Sequence, residues 1–184
     1  MLARDDRSAR VRIGGWILIV RQLAAVIHRR LNPVSYARSI GVTIGEDCRL
    51  IDVSFSTEPY LIHLGNHVSA TKTHFETHDG GVWVIRHKHP EIDVVRPIHV
   101  GDNVYFGYGC LVLPGATIGS NVVVGAGSVV AGNIPDNSVV GGVPAKVIKS
   151  VDEYEAAALA KSSPTKGWTL EEKQVYYTRI FGSR

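Results

Sequence analysis

Residues 100–135 read as six successive sixes: VGDNVY, FGYGCL, VLPGAT, IGSNVV, VGAGSV and VAGNIP. The first place is apolar in every six, the second is glycine in four, and the fifth holds only Val, Cys, Ala, Ser or Ile. In a chain that is 45% hydrophobic, six apolar first places in a row arise by chance roughly once in 120 trials. A period of six with one large and one small residue suits a prism of short flat strands. Three sixes complete one coil, and each apolar residue stacks on its counterpart a coil away. Glycine after the aliphatic residue permits the tight corner. Backbone groups are then satisfied between coils and no polar side chain needs burial.

Working backwards, VVRPIH (94–99), LGNHVS (64–69) and IGEDCR (44–49) fit the same frame. Cys48 and Cys110 fall at the inward fifth place and read as core filler, with no spacing for a disulfide framework or a metal site. The same frame turns His74 inward. Between Gly80 and Val94 the sixes fail, and an excursion from a prism corner is where a solenoid puts function. After residue 150, two stretches at 152–161 and 169–181 are predicted helical, with Thr169 and Glu172 spaced as a capping box. They are expected to cover the open end of the prism or a neighbouring subunit.

Charge is uneven. The net +3 of the chain divides into about +6 over residues 1–38, which hold eight arginines against Asp5 and Asp6, and about −3 over the rest. No reader motif or basic platform interleaved with aromatics points to nucleic acid. The apolar run at 13–20 (IGGWILIV) is too short to span a bilayer and has no clean cleavage site after it. It opens an amphipathic helix expected over residues 16–31, which packs on the domain or rests peripherally on the inner face of a membrane. The chain thus reads as cytoplasmic.

The sixes, closing with "GNIPDNSVVGGVPAKVIKS" at 132–150, resemble the hexapeptide-repeat acyltransferases over about residues 40–154. The likeness is strongest to the branch of maltose and galactoside O-acetyltransferases and capsular or exopolysaccharide acetyltransferases. The general crossover rule predicts right-handed coils. The resemblance implies the exception: a mainly β chain folded as a left-handed parallel β-helix, with helices at both ends and one excursion loop. It also implies a homotrimer with active sites between neighbouring prisms. The segments are then 1–39, a basic helical stretch; 40–150, the β-helix with its loop at 80–93; and 151–184, C-terminal helices.

Acyl transfer from a thioester needs a base for the acceptor proton and a donor for the developing oxyanion. "THDGG" at 77–81 resembles the family's catalytic histidine motif, which makes His78 the general base. Asp79 points to the opposite face of an extended chain. Glu76 shares the face of His78, and Glu58 lies 18 residues before Glu76, one regular coil away. Glu58 is therefore the expected orienting carboxylate or substrate contact, while Glu76 and Asp79 read first as surface charge. Asp79, Trp83 and Arg86 are candidates for holding a sugar, and the basic run Arg86, His87 and Lys88 with His89 could meet a nucleotide-sugar phosphate.

By resemblance, acetyl-CoA is the donor and lies along Tyr108 in "FGYG" and Ala126 in "GAGS", with Lys146 and Lys149 near its phosphates. Ala131 and Gly132 depart from the family, standing where relatives carry a threonine and a lysine that contact the cofactor. No metal is required. Neither cysteine is placed for a covalent intermediate. The expected reaction is transfer of an acetyl group to a sugar hydroxyl of a cell-surface polysaccharide or its precursor. The alternatives are N-acetylation of a nucleotide-linked amino sugar, a zinc protein like the γ-class carbonic anhydrases, and a non-catalytic trimeric scaffold. For zinc, His63 and His99 are available but Val104 stands where a partner ligand is needed.

Overall fold

The computed structural model describes residues 22–182. Strands enter three parallel sheets in strict rotation. The first sheet holds Thr43–Ile44, Ile62–Leu64, Ile98–Val100, Thr117–Ile118 and Asn133–Ile134. The second holds Arg49–Ile51, Val68–Thr71, Val104–Phe106, Val122–Val124 and Ser138–Gly142, and the third Ser54–Phe55, His74–Phe75, Leu111–Val112 and Val129–Val130. This is the left-handed parallel β-helix, with helices at both ends.

The repeat explains the core of the later coils. All six first places, Val100, Phe106, Val112, Ile118, Val124 and Val130, are buried, and so are all six fifth places, Val104, Cys110, Ala116, Val122, Ser128 and Ile134. The two polar fifth places keep their hydrogen bonds. Ser128 Oγ donates to Gly125 O at 2.6 Å, and Cys110 Sγ to Gly107 O at 3.1 Å. Gly107 is needed for closeness, since a Cβ there would come within 2.5 Å of Ala126 N. Along another corner Asn103, Asn121 and Asn137 adopt φ of 54–57°. Asparagine tolerates that conformation, and the three side chains hydrogen-bond in a ladder at 2.9 and 3.0 Å.

The earlier coils are irregular. From Ile44 the inward positions Leu50, Phe55 and Leu64 follow at steps of six, five and nine residues, where the later coils keep six as far as Val130 and then step four to Ile134. The five-residue step recurs from Ala70 to Phe75 and removes a residue from the corner before His74, so the frame slips by one and every following side chain changes face. Thr73, Phe75 and Thr77 are buried while His74, Glu76 and His78 face outward. This corrects the inward placement of His74. The nine-residue step carries the one-turn helix Pro59–Leu61. Ile62 pairs with Ile98, so the excursion adds a full coil's length of chain. VVRPIH joins the core only from Ile98, because Val94 is exposed in the returning stalk.

Different elements flank the two ends of the prism. Helix Pro33–Ser39, capped by Asn32 Oδ1 accepting from Ser35 N, puts Ala37 into the core of the first coil. Arg38 donates to Ile44 O, Gly45 O and Glu46, and Arg29 pairs with Asp52 at 3.5 Å. Part of the basic segment is therefore structural. At the far end Ala145–Ser150 pairs antiparallel with Ser138–Gly142.

Residues 22–31 are helical, and the earlier part of the expected 16–31 helix lies outside the described residues. Among the described residues no helix is long and apolar enough to cross a membrane. From Asp152 onward the chain forms a second compact unit. In it the capping box is formed: Thr169 Oγ1 accepts from Glu172 N, and Glu172 Oε2 from Thr169 N. Helix Leu170–Phe181 carries Tyr176, Tyr177 and Phe181, whose rings meet edge-on and stacked, with Trp168 against Tyr176.

Candidate active site

His78 stands where the chain leaves the third sheet. Its backbone enters a two-stranded stalk, bridging Val95, with Asp79 N donating to Val94 O and Arg96 N to Thr77 O. The irregular coil places the acids around it. With 20 residues per coil here, Glu58 lies opposite His78 and Ser56 opposite Glu76. Glu58 thus reaches His78 for a different reason from the one the 18-residue spacing supplied.

Four acceptors face His78 Nδ1: Ser56 Oγ at 3.0 Å, Glu76 Oε1 at 3.1 Å, Glu58 Oε2 at 3.4 Å and Thr57 Oγ1 at 3.5 Å. Ser56 uses its own proton toward Glu76 Oε1 at 2.5 Å, so it too can only accept from the ring. The arrangement favours a proton on Nδ1 and leaves Nε2 with its lone pair outward. Two hydroxyl donors, Thr57 and Thr77, hold the Glu58 carboxyl below the usual carboxylate range. Burial pushes Glu76 upward, but bonds from Ser56, His74 and His78 outweigh it and its acidity is also increased. An imidazole held this way can take a proton at Nε2 while its cation is balanced by adjacent carboxylates.

Two cavities meet at this residue. One, of about 290 Å³, is lined by Thr57, Glu58, His78, Gly80, Trp83, Arg86 and Asp93. The other, of about 580 Å³, runs past Glu76, His78, Arg96, Leu113, Pro114 and Ala131. The helix Gly80–Val84 leaves Trp83 79% exposed over the first. Asp79 caps that helix through Gly81 N at 2.8 Å, which commits one of its oxygens. Arg86 pairs with Asp93 at 3.0 Å, and its Nε is buried without a partner.

The residues expected at the cofactor fall elsewhere. Tyr108 and Ala126 are on the corner between the second and third sheets, and Lys146, paired in register with Gly141, lies at the same end of its strand. Lys149 pairs with Val139, about 10 Å further along the ladder. Ala131 instead lines the His78 cavity, and Gly132 adopts φ +68°, where a side chain is strained.

Sequence reasoning passed over Lys72. Its ammonium sits 5.2 Å from the Tyr108 ring centroid, and the Tyr108 hydroxyl holds its pKa up. Burial raises the thiols of Cys48 and Cys110, which suits packing rather than nucleophilic attack. His63 and His99 stack at 4.8 Å, but among the described residues no group of three ligands is placed for a metal.

A solenoid of sixes whose corner holds a histidine among carboxylates, between two cavities, defines a group-transfer enzyme of the hexapeptide-repeat type. The family described as bacterial transferase hexapeptide (six repeats) matches residues 97–132. Protein CapG of Staphylococcus aureus is 50% identical over 148 residues, covering 78% of this chain and 86% of that protein. A galactoside acetyltransferase solved with coenzyme A superposes with a TM-score of 0.54 at 25% identity, over 74% of this chain and 82% of that one. A hexapeptide-repeat-containing acetyltransferase of Vibrio cholerae shares the fold with a TM-score of 0.54 at 22% identity, covering 66% of this chain and 81% of its own. The chain belongs to the hexapeptide-repeat acyltransferase family.

Proposed function

We propose that the protein transfers an acetyl group from acetyl-CoA to a hydroxyl of a sugar in a cell-surface polysaccharide or its precursor, with His78 as general base. The observation that carries this reading is the orientation of His78. Nδ1 faces Glu76, Ser56 and Glu58, while Nε2 has no partner among the described residues. The acceptor O–H gives its proton to Nε2 as the oxygen bonds to the thioester carbonyl carbon. The C–S bond then breaks, and the proton on Nε2 passes to the departing sulfur. A backbone N–H stabilises the oxyanion between those steps.

Trp83 offers an exposed apolar face beside the polar lining of this cavity, as sugar recognition requires. Because Asp93 neutralises Arg86 and Glu58 adds a negative charge, this cavity suits an uncharged ring better than a phosphate. That favours the hydroxyl of a neutral sugar over a nucleotide-linked one. The donor lies along Tyr108 and Ala126, with Lys146 and Lys149 toward its phosphates. Those residues and His78 occupy different corners of one prism. Such a separation suits a homotrimer in which the Tyr108 corner of one chain faces the His78 corner of the next. Leu23, Val26, Ile27 and Leu31, exposed beside Arg30, supply a stripe for peripheral contact with an anionic membrane surface.

The test is calorimetric titration with coenzyme A, followed by thiol release from acetyl-CoA over a panel of neutral sugars. Binding near one site per chain and release dependent on a sugar and on His78 are the expected results. No binding at millimolar coenzyme A would overturn the donor assignment.

A further inference from the structure

We propose that His74 is a positioning residue for the base, holding the Glu76 carboxylate between two imidazoles so that one oxygen stays aimed at His78. The inference rests on the assignment of His78 as base. His74, Glu76 and His78 alternate along one extended segment and share its outward face. Both ring nitrogens of His74 are engaged: Nδ1 with Ser54 Oγ at 2.8 Å and Nε2 with Glu76 Oε2 at 3.1 Å. No lone pair or N–H is left for a substrate, and of the two groups that His74 engages Glu76 is the one that reaches His78.

The two ends of this chain of contacts are held differently. His74 N donates to Cys110 O and Glu76 N to Val112 O, both at 2.9 Å, which ties these residues to the regular coil beneath. His78 has already left the sheet for the stalk. The carboxylate therefore links the packed coil to the excursion. It has two oxygens to fix: Oε1 is shared by Ser56 and His78, and Oε2 has only His74. Without a donor on Oε2 the carboxylate is free to rotate, and Glu58, at 3.4 Å, is the remaining charged acceptor for Nδ1.

Two variants separate this role from simple packing. His74→Leu keeps bulk and removes the donor, whereas His74→Gln keeps an N–H able to reach the carboxylate. The readout is the long-range imidazole nitrogen spectrum of the full chain at neutral pH without ligand, which reports the tautomer of His78. In the unmodified protein His78 carries its proton on Nδ1. In His74→Leu the ratio of the Nδ1–H to the Nε2–H form falls about fivefold, and His74→Gln restores most of it at an unchanged melting temperature. An unaltered His78 spectrum in His74→Leu overturns the proposal, as does equal loss in both variants. The base assignment is tested apart from this, by thiol release in His78→Ala. Retained turnover there sinks the base, while lost turnover with an unaltered His74→Leu spectrum sinks only the role of His74.

Discussion

Coils 98–134 and coils 43–78 are built from the same three sheets, yet they differ in what their irregularities leave outside. In the later coils nearly every step is six residues, all twelve repeat positions are buried, and the side chains spend their polarity on ladders such as Asn103, Asn121 and Asn137. In the earlier coils one corner is a residue short and another is three residues long. The short corner turns His74, Glu76 and His78 outward, and the long one brings Glu58 across from His78. Regularity makes a core, and departures from it turn polar side chains into the two cavities at His78.

The widest separation of the two regions comes from paired substitutions. His78→Ala is expected to lower turnover by about 10³-fold, with the melting temperature and coenzyme A affinity nearly unchanged. Phe106→Ala, which removes a fully buried ring set edge-on against the fully buried Phe75, should cost about 3–5 kcal/mol of stability while the surviving folded fraction keeps its turnover per site. Thermal melts alongside thiol-release assays check both. A large stability loss in His78→Ala would mean that the irregular coils also hold the fold.

A smaller effect distinguishes the two acids. Glu76→Gln and Glu58→Gln are each expected to reduce turnover about tenfold with little change in KM, since either carboxylate offsets the imidazolium charge that forms in the transition state. Because both face the same Nδ1, the double variant should lose less than the product of the single losses. Strict multiplicativity would show that the two carboxylates act on separate steps.

The later coils are legible as far as Val130 because their pattern is local: each six declares its own inward residue, and only the last shortens, setting Ile134 against Ile118. The place of His78 at the mouth of the excursion is legible in its motif. The contact of Glu76 with His78 is not, although His74, Glu76 and His78 stand two apart in sequence, the period of a strand face. Counting sixes through the short corner put His74 inside, and a slip of one residue reverses every face after it. An 18-residue coil points to Glu58, which reaches His78 on a 20-residue one. The Arg86 and Asp93 pair depends on how the excursion folds back, and no period encodes that. Tyr108 and His78 sit on different corners of the prism, and the repeat alone does not relate one corner to the other.

Acid provides the finest division between the regions. The carboxyls of Glu58 and Glu76 both have lowered pKa values in the folded protein: in Glu58 through the hydroxyls of Thr57 and Thr77, and in Glu76 through Ser56 and its imidazole neighbours overcoming burial. A carboxyl that is more acidic folded than unfolded contributes stability above the ordinary carboxylate range and loses it as pH falls through the folded value. Acidification below that range should therefore loosen the segments that these contacts join before it reaches the later coils. Amide exchange checks this directly, since His74 N, Glu76 N and Ser56 N are bonded between coils in one region and Leu111 N and Gly125 N in the other. Protection at 54–58 and 74–79 should fall first as the pH drops. In a Glu58→Gln, Glu76→Gln variant that early loss should vanish, because neither amide titrates. Simultaneous loss across residues 54–130 would show one cooperative unit in which the departures from six are no weaker than the sixes themselves.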